Sequence, residues 1–186
     1  SGHMSFTGGA IVAGVAGWPI KHSRSPRIHN YWLRQYGIDG VYVPLAMPPE
    51  GAKEAIRMLP SLGIRGLNVT VPNKEDAYKA MDEVDRWAQR MKAVNTIVVR
   101  DGILYGANTD AFGFLESLRE ARPGWCADAG PAGVLGAGGA ARAVVAGLRD
   151  EGAPEIRILN RTPERAAAIR DEFGKPVRPM MWEQRG

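Results

Sequence analysis

Short β-branched runs alternate with longer amphipathic ones along this chain, and in each unit the short run comes first. Apolar residues two apart favour a half-buried strand and those three or four apart a helix, so the alternation predicts an α/β protein. Ile11 to Val15 precedes a helix expected over Pro26 to Tyr36, which Gly37 ends. Val41 to Leu45 precedes a second helix over about Glu50 to Leu59, with Gly63 just beyond, and Ile64 to Val71 reads as a third strand. Two helical stretches around Lys74 to Met91 lead into Val94 to Arg100. The Asp101-Gly102 turn then returns the chain through Ile103 to Tyr105 as a hairpin. Asn108-Thr109-Asp110 can cap a helix running to about Arg122; Pro123-Gly124 and the small residues of Ala127 to Ala132 read as a linker. This divides the chain into a first α/β domain over residues 5–107, a helix and linker over 108–130, and a second domain over 131–186.

With 186 residues, 45% hydrophobic and 24% charged, the chain can bury a core in one or two domains and has the composition of an ordinary soluble globular protein. The net charge of +4 is spread among acids, with no basic tract interleaved with aromatics, so nucleic acid is not an expected partner. The apolar run Ala10 to Trp18 is too short for a bilayer and runs into polar PIKHSRSP, which argues for a buried strand and against a membrane partner. The one cysteine, Cys126, cannot form an internal disulfide, as fits a reducing cytoplasm. No Cys or His cluster has metal-ligand spacing, and His22 and His29 are read as local hydrogen-bonding or packing residues. Ser1 to Met4 has the look of a cloning remnant and is left out of the fold reading.

The second domain opens with VLGAGGAARAVVAGL, Val134 to Leu148. Gly136, Gly138 and Ala141 fit the dinucleotide fingerprint, whose small residues permit a tight turn, close backbone approach to a pyrophosphate, and helix packing on the sheet. Gly136, Ala137, Gly138, Gly139 and Ala140 are the candidate pyrophosphate contacts. The spacing alone is a weak signal. It gains from its setting between Val134-Leu135 and an Ala- and Val-rich helix, with a second strand at Ile156 to Leu159; a third is expected near Val177. An NAD site usually has an acid at the end of the second strand, to hold the ribose 2′-hydroxyl. Here the sequence is ILNRTPERA. Asn160 and Arg161 occupy the turn, Thr162 can cap a helix with Pro163 at its first position, and Arg161, Thr162 and Arg165 suit a 2′-phosphate, which argues for NADP. The alternative is that both arginines pair with Glu164 or Asp171.

In the first domain four polar clusters stand near strand ends or helix starts: HSRSP (His22 to Pro26), NVTVPNKE (Asn68 to Glu75), AVNT (Ala93 to Thr96) and GANTDAFG (Gly106 to Gly113). The second is the most telling. Val69, Thr70 and Val71 favour extended backbone, Pro72 cannot donate to a ladder, and a lysine follows. Taken in order with GAGGA and NRTPERA, these clusters resemble the signature of the shikimate dehydrogenase family over essentially the whole stretch from Val12 to about Ala166.

The resemblance implies an N-terminal α/β substrate-binding domain followed by a truncated NADP-binding Rossmann domain, acting on shikimate and 3-dehydroshikimate. It implies that Ser23 and Ser25 bind the substrate carboxylate, that Asn68 and Thr70 line the site, and that Lys74 meets the ring hydroxyls with Asn95 and Asp110. Lys74 and Asp110 would be the catalytic pair. Residues two apart on an extended segment point the same way, so Asn68 and Thr70 can serve one ligand. The chemistry asks for such a pair, because hydride transfer to or from a secondary alcohol leaves a proton to be moved. A lysine is ordinarily a poor base at neutral pH; burial lowers its pKa and a nearby aspartate raises it. Lys74 is thus open to two roles, proton carrier or electrostatic clamp.

The activity expected is NADP-dependent reduction of 3-dehydroshikimate, with quinate/shikimate dehydrogenase using NAD, or an inactive shikimate-binding fragment, as alternatives; a homodimer is compatible with all three. One departure stands out: the family usually has glycine before AVNT, where this chain has Lys92. A doubly wound sheet has about six strands. The second domain offers two, with a third near Val177, so the sequence is expected to stop short of the family's later contacts to substrate and nicotinamide.

Overall fold

The computed structural model describes residues 6–135 and 139–184. They form two compact units, the first running to Asn108 and the second beginning at Thr109.

The first unit is built from β1 (Ile11–Gly17), α1 (Ser25–Gln35), β2 (Gly40–Ala46), α2 (Ala52–Arg57), β3 (Ile64–Val69), α3 (Lys74–Ala80), β4 (Glu83–Val84), α4 (Arg86–Met91), β5 (Thr96–Arg100) and β6 (Ile103–Ala107). Its sheet has the order β2-β1-β3-β5-β6-β4. β1 pairs in parallel with both β2 and β3, and α1 and α2 lie in the crossover connections that parallel neighbours need. The Asp101-Gly102 turn makes β5 and β6 antiparallel. Both turn residues have positive φ, 51° and 75°, the backbone of a type I′ turn that Asp-Gly supplies.

Several boundaries differ from expectation for identifiable reasons. β3 ends at Val69 and not at Val71, although bonds from Thr70 N to Ala16 O and from Trp18 N to Val71 O carry the contact with β1 further. Pro72 then offers no donor, and Asn73 N closes a turn onto Thr70 O at 3.1 Å. The two helical stretches expected after Lys74 are α3 and α4, and the short strand β4 between them is the unexpected element. Asp82 accepts the backbone N–H of Leu104 at 2.8 Å, and Asp85 caps α4 by accepting from Ala88 N at 2.8 Å, so two acids pull this segment out of helix. β5 begins at Thr96 and not Val94, because Val94 N is spent on Lys74 O.

One face of this sheet carries the main core: Ala16, Leu67, Val69, Ile97 and Leu104 meet Ile56 and Leu59 around α2 and Ala77 and Ala80 of α3. Burying a Leu or Ile side chain is worth about 1.5–3 kcal/mol, so this layer supplies most of the unit's cohesion. The other face is thinner. It holds Val15, Ile20 and Tyr42 with Ala13 and Leu33, and α1 above it buries no residue fully.

The second unit comprises α5 (Asp110–Ala121), a 3-10 turn at Ala127–Ala129, β7 (Ala132–Leu135), α6 (Gly139–Asp150), β8 (Ile156–Leu159), α7 (Pro163–Phe173), β9 (Val177–Met180) and a second 3-10 turn at Trp182–Gln184. The three strands are parallel in the order β7-β8-β9, a βαβαβ half of a doubly wound sheet. Ile156 and Ile158 are fully buried, and Val145 and Ala146 of α6 and Ile169 of α7 are buried as well. α5, expected in a connecting segment, packs on α6, and Arg119 bridges to Glu151 at 2.8 Å. The expected linker contains the 3-10 turn with Ala127 buried.

Candidate active site

Because β1 and β3 are parallel and β5 runs against β3, the C-terminal ends of β1 and β3 and the N-terminal end of β5 fall together. That is the end at which ligands bind in open α/β sheets. Ser23 and Ser25 lie in the loop leaving β1 and at the start of α1. Asn68 lies at the end of β3 and Thr70 just past it, Lys74 begins α3, and Asn95 directly precedes β5. The strand period does the sorting: Leu67 and Val69 are 2% and 3% exposed in the main core, while Asn68 and Thr70 alternate to the opposite face and stay partly open.

Backbone bonds lock these pieces to one another. Val69 N donates to Asn95 O at 2.9 Å, Asn95 N to Ala107 O at 3.0 Å, and Val94 N to Lys74 O at 2.9 Å. The Thr96 hydroxyl donates to Asn95 Oδ1 at 3.0 Å. In the serine loop, Ser25 N donates to Ser23 Oγ at 3.3 Å. Thr70 depends on Gly17: a Cβ there would stand 2.5 Å from Thr70 Cγ2, so glycine lets the β3 end lie against β1.

Three residues have roles in this arrangement that the sequence does not announce, Asn108 among them although it is expected only as part of a helix cap. Asn73 is completely buried, and its Nδ2 donates to Met47 O at 2.8 Å, anchoring the turn that delivers Lys74. Asn108, also buried, donates from Nδ2 to Ala93 O at 3.0 Å and so braces the segment that carries Asn95. Both sit inside quoted motifs, and the available signal was an amide where a chain reversal has to be pinned. Tyr42 gave no such signal; its hydroxyl donates to Asn68 Oδ1 at 2.7 Å. Burial pushes the Tyr42 phenol up to about 12. His29 is a packing residue, stacked on Tyr42 at 4.1 Å, with Nδ1 2.9 Å from Ser25 O.

Lys92 turns out to be a backbone matter. It ends α4 in the left-handed region at φ 50°, ψ 40°, with its side chain exposed. Glycine is the residue at ease in that conformation.

Asp110 is the first residue of α5 in the second unit, three residues beyond the end of β6. Thr109 stands at the N-cap of α5 without a side-chain capping bond. In the same unit the candidate contacts Gly136, Ala137 and Gly138 lie outside the described residues, while Gly139 and Ala140 open α6 directly after them. Asn160 follows β8, and its Nδ2 closes the turn on Thr162 O at 3.0 Å. Thr162 occupies the N-cap of α7, yet its hydroxyl makes no cap bond, contrary to the capping expected of it. Arg161, Thr162 and Arg165 are exposed around this turn. Asp171, one of the acids that could have neutralised them, is bonded by Arg170 at 3.0 Å.

The thiol of Cys126 is exposed, and the hydrogen bond and charge of Asp128 push its pKa up, which disfavours the nucleophilic thiolate. Among the described residues no cluster of three or more His, Cys, Asp or Glu could hold a metal, and no helix is long and apolar enough to cross a membrane.

Two family models match the chain. One, described as the shikimate dehydrogenase substrate binding domain, covers residues 15–97; the other, shikimate / quinate 5-dehydrogenase, covers residues 127–183. A shikimate dehydrogenase (NADP(+)) of Paramagnetospirillum magneticum is 56% identical over 97% of this chain and 66% of its own length. The crystal structure of shikimate dehydrogenase from Aquifex aeolicus superposes with a TM-score of 0.86 at 38% identity, covering 95% of this chain and 64% of that one. That of shikimate 5-dehydrogenase from Thermus thermophilus in complex with NADP(H) and shikimate gives 0.78 at 40% identity, covering 91% and 62%. The chain thus spans just under two thirds of the length of the relatives it matches.

Proposed function

This chain belongs to the shikimate dehydrogenase family, and on that premise we propose that it carries out the NADP-dependent, reversible reduction of 3-dehydroshikimate to shikimate. The observation that carries the proposal is the gathering of Ser23, Ser25, Asn68, Thr70, Lys74 and Asn95 at one end of the first unit's sheet. Their chemistry matches a small polyhydroxylated acid: two serine hydroxyls for the carboxylate, amide and hydroxyl groups for the ring oxygens, and one ammonium for the reacting oxygen.

The second unit fits NADP by its donor set. Arg161, Thr162 and Arg165 stand exposed after β8 where an NAD site would carry an acid, and a guanidinium fork matches a phosphate bidentately. The small residues Gly136 to Ala140, the last two of which open α6, would admit the pyrophosphate. When bound, NADPH supplies the hydride for the carbonyl carbon.

Lys74 places positive charge beside the carbonyl oxygen, stabilises the alkoxide as it develops, and gives that oxygen its proton. Asp110 is assigned to the proton step as the second catalytic residue, and in the oxidative direction the hydroxyl proton passes to these groups. Ser23 and Ser25 hold the far end of the ring through its carboxylate, so that the reacting carbon is presented in one orientation. A cytoplasmic setting is part of the proposal, and the one cysteine of the sequence, Cys126, is compatible with it.

Initial rates with 3-dehydroshikimate, shikimate and quinate, each with NADP(H) and NAD(H), test the reading. Fastest turnover should come from 3-dehydroshikimate with NADPH. A preference for quinate with NAD would refute the assignment of Arg161 and Arg165. Saturable shikimate binding without turnover would reduce the chain to a binding module.

A further inference from the structure

The side chain of Tyr42 is out of proportion to its local role. It starts on β2, passes over β1 and ends on β3, where its hydroxyl donates to Asn68 Oδ1 at 2.7 Å. Two strand spacings are about 9.5 Å, a gap closed jointly by the Tyr42 ring, the 2.7 Å hydrogen bond and the Asn68 side chain. The residue is 5% exposed and packs with Val15 and Ile20.

Its position is fixed from both ends. Asn30 grips the Tyr42 backbone twice, donating from Nδ2 to Tyr42 O at 2.8 Å and accepting Tyr42 N at 2.9 Å. The ring stacks on His29 with the planes 9° apart. His29 Nδ1 lies 2.9 Å from Ser25 O, which can only accept, so the imidazole is a donor there. His29-Asn30 of the HSRSPRIHN motif thereby connects the serine loop to Asn68 through Tyr42.

An asparagine amide has one accepting and two donating faces, and in a site that distinguishes ketone from alcohol oxygens its orientation matters. With Oδ1 engaged by Tyr42, Asn68 presents its N–H groups. We propose that Tyr42 is a positioning residue that locks the Asn68 amide with its donor side toward the ligand, making Asn68 a hydrogen-bond donor to a substrate oxygen. A phenol that burial keeps protonated remains a donor across the working pH range. This rests on the proposed reading of the site, and it adds which way Asn68 faces and what holds it so.

The test is a double-mutant cycle of Tyr42→Phe and Asn68→Ala in the full chain, with kinetics and with the Asn68 side-chain amide signals in the 15N–1H spectrum. Tyr42→Phe, which keeps the ring and its stacking, should raise KM for 3-dehydroshikimate roughly three- to tenfold, as expected for one misdirected neutral hydrogen bond, with KM for NADPH and the melting temperature little changed. In the Asn68→Ala background the same change should be nearly silent, since the group it orients is gone. The Asn68 amide pair should shift in Tyr42→Phe before any ligand is added. Equal effects of Tyr42→Phe in both backgrounds, or an unmoved amide pair, overturn the inference. If the unaltered chain shows no saturable dependence on shikimate, the functional reading fails, and the amide signals of the unliganded chain still decide the orientation of Asn68.

Discussion

Replacing Lys92 by glycine should make this protein more stable. Lys92 closes α4 at φ 50°, and Ala93 N then reaches back to Ala88 O at 3.3 Å, the six-to-one bond of a Schellman ending. A side chain with a Cβ in that conformation costs about 1–2 kcal/mol. Glycine removes that cost but gives the unfolded chain more freedom, which takes back about 0.4–1 kcal/mol. The Lys92 side chain is exposed, so its loss subtracts little. The net gain is centred on about 0.8 kcal/mol within a range of about 0–1.6, which at its centre is a rise of roughly 2–3 °C in melting temperature for a chain of this size. Lys92→Val provides the opposite arm, because β-branching fits the left-handed region worst, and it should lower stability by about 1 kcal/mol or more. Urea and thermal unfolding followed by tryptophan fluorescence would read both, with unchanged urea slopes showing that only the native state has been altered. A Lys92→Gly protein less stable than its parent, or a neutral Lys92→Val, would refute the argument that backbone conformation sets the preference at this position.

Lys74→Met and Asp110→Asn should each lower kcat by roughly 10²- to 10⁴-fold while leaving KM for NADPH nearly unchanged; an effect confined to KM for substrate would demote both to binding residues. Arg161→Ala combined with Arg165→Ala should raise KM for NADPH by roughly tenfold or more and leave NADH kinetics alone, since only the former carries the 2′-phosphate. Tyr42 titrates at about 12 in the folded protein against an ordinary 10.0. The folded pKa is raised, so its contribution to stability is complete below about pH 10 and is lost as pH climbs to about 12. Unfolding free energies measured across that window should therefore fall faster for the parent than for Tyr42→Phe; parallel curves would contradict it.

The parts of the fold visible in the sequence are those that local physics decides. Alternation of β-branched and amphipathic runs places the principal strands. Asp101-Gly102 supplies the two positive φ angles its hairpin needs, and period two puts Asn68 and Thr70 on one face with Leu67 and Val69 on the other. What stayed hidden depends on partners distant along the chain. The strand β4 between α3 and α4 follows from Asp82 reaching Leu104, 22 residues away. The amphipathic pattern of α5 says that one face is buried but not that α6 covers it. Tyr42 meets Asn68 across 26 residues, and inside its own strand it looks like any core aromatic. The identity of Lys92 as a left-handed residue is equally silent, because a lysine carries no turn preference and only its place after α4 dictates the angle.

Titrating shikimate into the 15N-labelled chain and following every backbone amide tests most directly whether the gathered end of the first unit's sheet is the substrate site. Saturable shifts should concentrate at Ser23 to Ser25, Asn68 to Lys74 and Asn95, with the amides of β8, α7 and β9 quiet. Saturable shifts centred elsewhere, or none at all in a folded chain, would contradict that assignment.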